Sequence, residues 1–210
     1  MSDRTVISLP VIWRRYDLPG YETCKILVSD VGWRLTGVAV LVWEGQACRL
    51  DYVIDCDEQW VTRLATVEGW VGNRLIGVTV ARDAGGQWRL NGNACEDLAG
   101  CVDIDLNFSP STNLLPIRRL DLEVGSAATV RAAWLRFPSF ALEPLDQSYT
   151  RLEERKYRYE SGGGLFVAEV TVDDGGLVID YGNIWSREVP ASAARSRDFT
   201  ASSHPDGDSQ

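Results

Sequence analysis

Two aspartates two residues apart, Asp103 and Asp105, are the sharpest chemical feature of the chain. In Cys101-Val102-Asp103-Ile104-Asp105-Leu106-Asn107-Phe108 polar and apolar residues alternate strictly. A strand therefore puts Asp103, Asp105 and Asn107 on one face and Val102, Ile104, Leu106 and Phe108 on the other. Carboxyls at that spacing lie roughly 7 Å apart, within the range that inverting glycosidases place between acid and base. That chemistry needs carboxyls on both sides of the scissile bond, and these two project from a single strand. The plainer reading is a half-exposed strand face paired with arginine from a neighbour.

The next segment, Ser109-Pro110-Ser111-Thr112-Asn113-Leu114-Leu115-Pro116, sets two prolines around hydroxyl and amide side chains. It reads as stiff, locally hydrogen-bonded and barred from a helix. It feeds an expected strand over Ile117–Val124, on which Arg118 and Arg119 face opposite ways. Arg118 shares the face of Leu120 and Leu122, so an inward Arg118 needs a carboxylate or an anionic ligand. Asp103 or Asp105 is the expected carboxylate.

Other catalytic chemistries find little to work with. The one histidine, His204, lies in a C-terminal stretch poor in apolar residues, so Ser-His, Cys-His and histidine-metal constellations lack a folded member. No glycine-rich phosphate loop and no G-x-S-x-G follows a strand, so no cofactor is expected. The five cysteines (Cys24, Cys48, Cys56, Cys95, Cys101) form no C-x-x-C pair and fit no zinc spacing. They read as small buried hydrophobes in a reducing compartment.

Net charge is -9 and the isoelectric point is near 4.7, which repels a phosphate backbone on average, so no nucleic-acid partner is expected. The N-terminal apolar run is short and broken by Pro10, unlike a signal-peptide core, and no segment reaches eighteen consecutive apolar residues. The expectation is a cytoplasmic protein without a transmembrane segment; the sequence leaves its oligomeric state open.

The elements that carry these residues read as strands. Short apolar or alternating runs recur over 33–43, 49–55, 74–82, 87–90, 101–108, 117–124, 130–137, 165–172 and 177–181. Asp83-Ala84-Gly85-Gly86, Glu123-Val124-Gly125-Ser126 and Asp173-Asp174-Gly175-Gly176 supply turns between them. The only helical candidates are the stretch after Leu18 and Thr150–Lys156. One all-β domain over 1–189, mainly antiparallel, follows, with a disordered tail over 190–210.

A pseudo-repeat runs through it. Glu58-Gln59-Trp60-Val61-Thr62-Arg63-Leu64 resembles Asp146-Gln147-Ser148-Tyr149-Thr150-Arg151-Leu152. Val78-Thr79-Val80 with Asp83 and Gly85-Gly86 resembles Val170-Thr171-Val172 with Asp173-Asp174 and Gly175-Gly176, about 90 residues on in both cases. Two similar halves, about 15–105 and 106–187, are therefore expected to build one curved sheet. Each half then carries an aromatic beside a cation: Trp60 with Arg63, Tyr149 with Arg151. Eight Trp and seven Tyr supply side chains with an apolar body and a polar tip, which suit the boundary of a ligand pocket.

Four blocks carry a family resemblance. They are Arg15-Tyr16-Asp17-Leu18 with Glu22 and Cys24; Leu50-Asp51-Tyr52 through Asp55, Trp60 and Thr62-Arg63; Gly100 through Asp105 and Thr112 through Leu120; and Gln147, Tyr149-Thr150, Tyr157 through Glu160, Phe166 and 173–181. Together they resemble the putative glycolipid-binding family of bacterial proteins, a domain-of-unknown-function family. The resemblance implies a large curved antiparallel sheet, similar to the unclosed barrels of periplasmic lipoprotein carriers, around an apolar cavity for a lipid-like or glycolipid ligand. Where the family reads Pro-Phe-Thr-Asn this chain has Pro110-Ser111-Thr112-Asn113, which implies a wider pocket at that point. The expected function is non-enzymatic binding of an amphiphile, with Trp60, Arg63, Asp103, Asp105, Asn113, Arg118 and Tyr149 as ligand-binding residues. Two rival readings are a sugar hydrolase built on Asp103 and Asp105 and a protein-interaction scaffold using an open sheet edge.

Overall fold

A computed structural model describes residues 10–188; the expected tail over 190–210, with His204, lies outside them. Fifteen strands follow in chain order: β1 Val11–Arg15, β2 Gly20–Ser29, β3 Gly32–Trp43, β4 Gln46–Cys56, β5 Thr62–Val71, β6 Arg74–Arg82, β7 Trp88–Leu90, β8 Asn93–Cys95, β9 Asp103–Leu106, β10 Ala127–Leu135, β11 Leu142–Glu153, β12 Lys156–Ser161, β13 Phe166–Val172, β14 Val178–Tyr181 and β15 Trp185–Arg187. A helix, α1, spans Leu114–Leu120.

All fifteen strands join one sheet, ordered β8-β7-β6-β5-β4-β3-β2-β1-β15-β14-β13-β12-β11-β10-β9. Every pairing is antiparallel except β9 with β10. β1 sits at the middle and pairs with both β2 and β15, so the N-terminal and C-terminal hairpin runs meet on the first strand. The two ends of the sheet, β8 and β9, come round toward each other without a backbone ladder. Side chains bridge the seam instead. Ile104 N donates to Thr62 Oγ1 of β5 at 3.0 Å, and the Trp88 indole and Arg82 Nε both donate to Cys101 O, at 3.0 and 3.2 Å. The result is the expected curved sheet in the form of an unclosed barrel. Its terminal strands are three and four residues long and cover only the ends of β6 and β10, leaving the outer edges of 74–78 and 127–130 without a strand partner.

Alternation decides which side chains fill the barrel. Leu35, Ala39 and Leu41 of β3, Leu50, Tyr52 and Ile54 of β4, and Val170 and Val172 of β13 all point inward and are buried. Two strand stretches take the place of expected helices. The residues after Leu18 form β2, in which Cys24 and Ile26 face in while Tyr21, Thr23 and Lys25 face out. Thr150–Lys156 is the end of β11, a turn and the first residue of β12.

The converse correction lies at Ile117–Val124. Here the chain forms a turn of 3-10 helix over Ser111–Asn113 and then α1, so Arg118 and Arg119 sit in a last helical turn and not on opposite faces of a strand. Pro116 falls within the first turn of α1, where backbone N–H groups have no partner to lose and proline is tolerated. Leu114, Leu115 and Ile117 turn one face of the helix into the barrel. Asp121 ends it in the left-handed conformation, its N–H returning to Ile117 O. Glu123–Ser126 consequently leads from α1 to β10 and joins no hairpin.

The repeat maps unevenly onto this scaffold. Asp83–Gln87 and Asp173–Leu177 form the same turn: the Asp carboxylate accepts from the N–H four residues on, and a glycine at φ +86° or +89° completes it. Asp57–Val61 repeats the same turn with Trp60 in the glycine position. The segments 58–64 and 146–152 occupy different places, the first a turn running into β5 and the second wholly within β11. Duplication stands as a proposal supported by the turns alone. Among the described residues no helix is long and apolar enough to cross a membrane.

Candidate functional site

The segment 107–120 enters the barrel and plugs part of it with polar groups. Ser109 and Ser111 lie 2.7 Å apart through their hydroxyls, and Ser109 donates to Glu22 Oε1 on β2 at 2.6 Å. Tyr52 of β4 donates to the same oxygen at 2.6 Å and lies 2.9 Å from Ser111 Oγ. It reaches across β3 only because position 37 is glycine: a Cβ there would stand 2.4 Å from the Tyr52 ring and hydroxyl. Glu22 is 1% exposed. Desolvation outweighs its hydrogen bonds from Ser109 and Tyr52 and the charge of Arg15, pushing its carboxyl up to about 8. Its Oε2 and the Arg15 Nη1 have no hydrogen-bond partner among the described residues.

Beside this plug lies a cavity of about 490 Å³, within the ~300–1,000 Å³ typical of small-molecule sites. Its polar lining is Arg15, Asp17, Asp105, Asn107, Ser109 and Asn113. Its aromatic and aliphatic lining is Trp134, Leu145, Tyr159, Leu165, Phe166, Tyr181, Ile184 and Trp185, with Trp134 beside Asp105 and Trp185 beside Arg15 in the sheet. Arg15 donates twice to Asp17, at 2.7 and 2.9 Å, and lies over the Trp185 ring with its guanidinium carbon 5.2 Å from the centroid. Tyr159, Phe166 and Tyr181 meet near-perpendicularly, with centroids 5.8–6.2 Å apart. Gly162-Gly163-Gly164, all at positive φ, leads into Leu165, which is 94% exposed, so the rim at this point is nearly free of side chains until Leu165.

Of the seven expected binding residues the structure brings two into the cavity, Asp105 and Asn113. Tyr149 is buried directly behind, donating to Asn113 Oδ1 at 3.0 Å. Asp105 accepts from Gln147 Nε2 at 2.6 Å, and burial pushes its carboxyl up to about 6 against that hydrogen bond. Asp103 shares its strand but not its setting. It is 1% exposed and clamped by Arg119, whose Nε donates at 3.0 Å. Burial raises its carboxyl, with the Arg119 hydrogen bond and charge opposing. The expected half-exposed strand face is therefore covered at Asp103, part-buried at Asp105 and exposed at Asn107, with arginine pairing at Asp103 as expected.

Arg118 and the Trp60 group lie apart from the cavity. Arg119, and not Arg118, meets the carboxylate, since one residue along α1 turns the side chain by about 100°. Arg118 instead sits over Trp60, with its guanidinium carbon 5.5 Å from the centroid, and Trp60 stacks on Trp33 at 4.5 Å and 9°. Arg63 pairs with Asp57 at 2.6 Å. These residues fasten α1 to the β4–β5 turn. Ser111 is fully buried against Tyr52, so the serine in place of the family's phenylalanine opens no part of this cavity.

Arg15, Asp17, Ser109 and the rings of Tyr159, Phe166 and Tyr181 were not among the expected site residues. The alternation of β12 and β13 places Tyr159 and Phe166 on the inner face, and that signal is present in Tyr157-Arg158-Tyr159. The buried thiols of Cys24, Cys48, Cys56 and Cys101 are all raised by burial, Cys24 to about 12, which suits packing and not nucleophilic chemistry. No group of residues suited to a metal ion occurs among the described residues.

An unclosed β-barrel with a polar plug and a half-aromatic side cavity is the class of scaffold that the fold and the site together define. The model of the family described as "Putative glycolipid-binding" matches residues 10–187, and the chain belongs to that family. It is similar to the crystal structure, at 1.80 Å resolution, of a DUF1089 family protein from Pseudomonas aeruginosa. The two share 32% identity over 80% of this chain and 92% of that one, with a TM-score of 0.72. No curated protein matches the chain.

Proposed function

We propose that the protein binds a lipid-like or glycolipid amphiphile without turning it over, in the 490 Å³ cavity. The observation that carries this reading is the mixed lining of the cavity, polar at Arg15, Asp17, Asp105 and the plug and apolar along β10–β15. An amphiphile satisfies both kinds of lining at once, whereas a purely apolar ligand would desolvate the polar atoms of Asp105 and Asn107 that their bonds from Gln147 and the Phe137 N–H leave open. The family description points the same way.

The hydrolase reading on Asp103 and Asp105 is disfavoured, since Asp103 is committed to Arg119 and of the two only Asp105 faces the cavity. The scaffold reading would have to use the unpaired outer parts of β6 and β10. The cytoplasm is the setting this proposal assumes, where five unpaired cysteines stay reduced.

Native mass spectrometry of protein purified gently from its own host, followed by organic extraction, tests the reading. A stoichiometric amphiphile is expected, lost in Leu145→Trp, which fills the cavity, and retained in Arg118→Ala, which lies outside it. A protein that stays bare with host lipid extract added would overturn the proposal.

A further inference from the structure

The charges around the cavity do not cancel. Among the described residues Arg15 is the one cation on its wall, and both of its carboxylate-facing nitrogens are taken by Asp17. Asp105, on the same cavity, has no cation within ion-pair distance among those residues; its hydrogen-bond donor is the neutral amide of Gln147. An ionised, part-buried carboxylate with no counter-ion, open to a cavity, leaves a net negative potential there.

The surroundings of Asp105 are aromatic. Tyr159 and Tyr181 both feel its charge, and with Phe166 they form three mutually near-perpendicular rings. Such rings present negative faces, which attract a cation within about 6 Å of a centroid. A part-buried carboxylate without a counter-ion among several aromatic rings matches an organic ammonium better than it matches a sugar hydroxyl or a second anion. An inorganic cation would want more oxygen ligands than one carboxylate supplies.

We propose that the cavity selects amphiphiles bearing a protonated amine or quaternary ammonium, with Asp105 as counter-ion and Tyr159, Phe166 and Tyr181 as the aromatic wall around it. This rests on the binder reading and names the head-group chemistry within it. Burial has already raised the Asp105 carboxyl to about 6, so a bound ammonium draws it back toward the ionised form and affinity follows its titration. Of the other groups near it, only the Glu22 carboxyl begins to ionise as pH nears 7.5. Tyr149, Tyr159 and Tyr181 are all raised above the ordinary tyrosine value, chiefly by burial, Arg15 is held by Asp17, Asp103 by Arg119, and Glu22 lies behind Ser109 with its carboxyl at about 8.

Decyltrimethylammonium and decyl glucoside, matched in chain length and used below their micelle concentrations, separate the possibilities by calorimetric titration of the full chain. The ammonium is expected to bind wild type at least about tenfold tighter than the glucoside at pH 7.5, and to lose about tenfold on acidification to pH 5. Asp105→Asn keeps the acceptor for Gln147, and it should level the two ligands and remove the pH dependence. Phe166→Ala, at the half-exposed lip, should weaken the ammonium alone, with folding checked by circular dichroism. Equal binding of the two amphiphiles to wild type, or a preference that survives in Asp105→Asn, overturns the ammonium proposal and leaves the binder reading standing. Binding of neither overturns both.

Discussion

Replacing Glu22 by glutamine should make the protein more stable above pH 6 and change little below pH 5. The Glu22 carboxyl is held near 8 in the fold against 4.5 in an exposed side chain, because burial at 1% exposure outweighs the Ser109 and Tyr52 hydrogen bonds. A group whose folded value is raised contributes its stability in full below the unfolded value and loses it as pH climbs through the folded one. Between pH 6 and 8 wild type should therefore lose about 2 kcal/mol through this carboxyl, since each pH unit in the window is worth up to about 1.4 kcal/mol. For a chain of this size that is a fall of roughly 4–8 °C in Tm. The glutamine side chain of Glu22→Gln keeps an oxygen for both hydroxyls and has nothing to ionise, so the Tm of that variant should stay flatter over the same range. Urea unfolding of both proteins at pH 5, 6, 7 and 8 reads the difference directly; Asp105 titrates in both and cancels. Parallel pH profiles for the two proteins would refute the desolvation argument.

Three further substitutions test the framework around the cavity. Arg119→Ala leaves Asp103 buried without a counter-ion and should cost about 3–5 kcal/mol at pH 8, less at pH 5 where the carboxyl can protonate, with Asp103→Asn restoring part of the loss. Gly37→Ala puts a methyl into the Tyr52 ring and should cost about 1–3 kcal/mol, with loss of the Tyr52–Glu22 hydrogen bond as a change in tyrosine absorbance. Trp60 stands at φ +66° in a turn that elsewhere uses glycine, so Trp60→Gly should be more stable than Trp60→Ala by about 1 kcal/mol in urea unfolding, although both fall below wild type; an alanine variant at least as stable as glycine sinks the strain argument.

Strand-rich architecture is legible where the inner face is purely apolar. β3 and β6 can be read almost to the residue, because β3 runs as a nearly continuous valine-rich apolar stretch after Gly37 and in β6 Val78 and Val80 alternate with Gly77, Thr79 and Ala81, both between glycine-containing turns. The turns Asp83–Gln87 and Asp173–Leu177 are legible from Asp and Gly alone. α1 is not, because Pro110 and Pro116 read as helix breakers when their position is ignored; Pro116 breaks nothing in a first turn, and Pro110 precedes the helix altogether.

Three of the strands outside the expected runs share a physical feature that bears on the site. β2, β5 and β11 each carry a buried polar residue on the inner face, Glu22, Thr62 and Gln147, so the apolar half of their alternation is interrupted. Each of those residues is buried because the plug or β9 supplies its partner: Ser109 for Glu22, the Ile104 N–H for Thr62, and Asp105 for Gln147. None of these partners is near in sequence, the separations running from 42 to 87 residues, so no local pattern can reveal that the polar group is satisfied. A barrel filled only with apolar side chains has no use for Glu22 or Gln147. Their presence reflects the polar contacts that hold the plug and β9 in the barrel, and the cavity proposed as the ligand site lies beside them, lined by rings and bare of side chains at Gly162–Gly164.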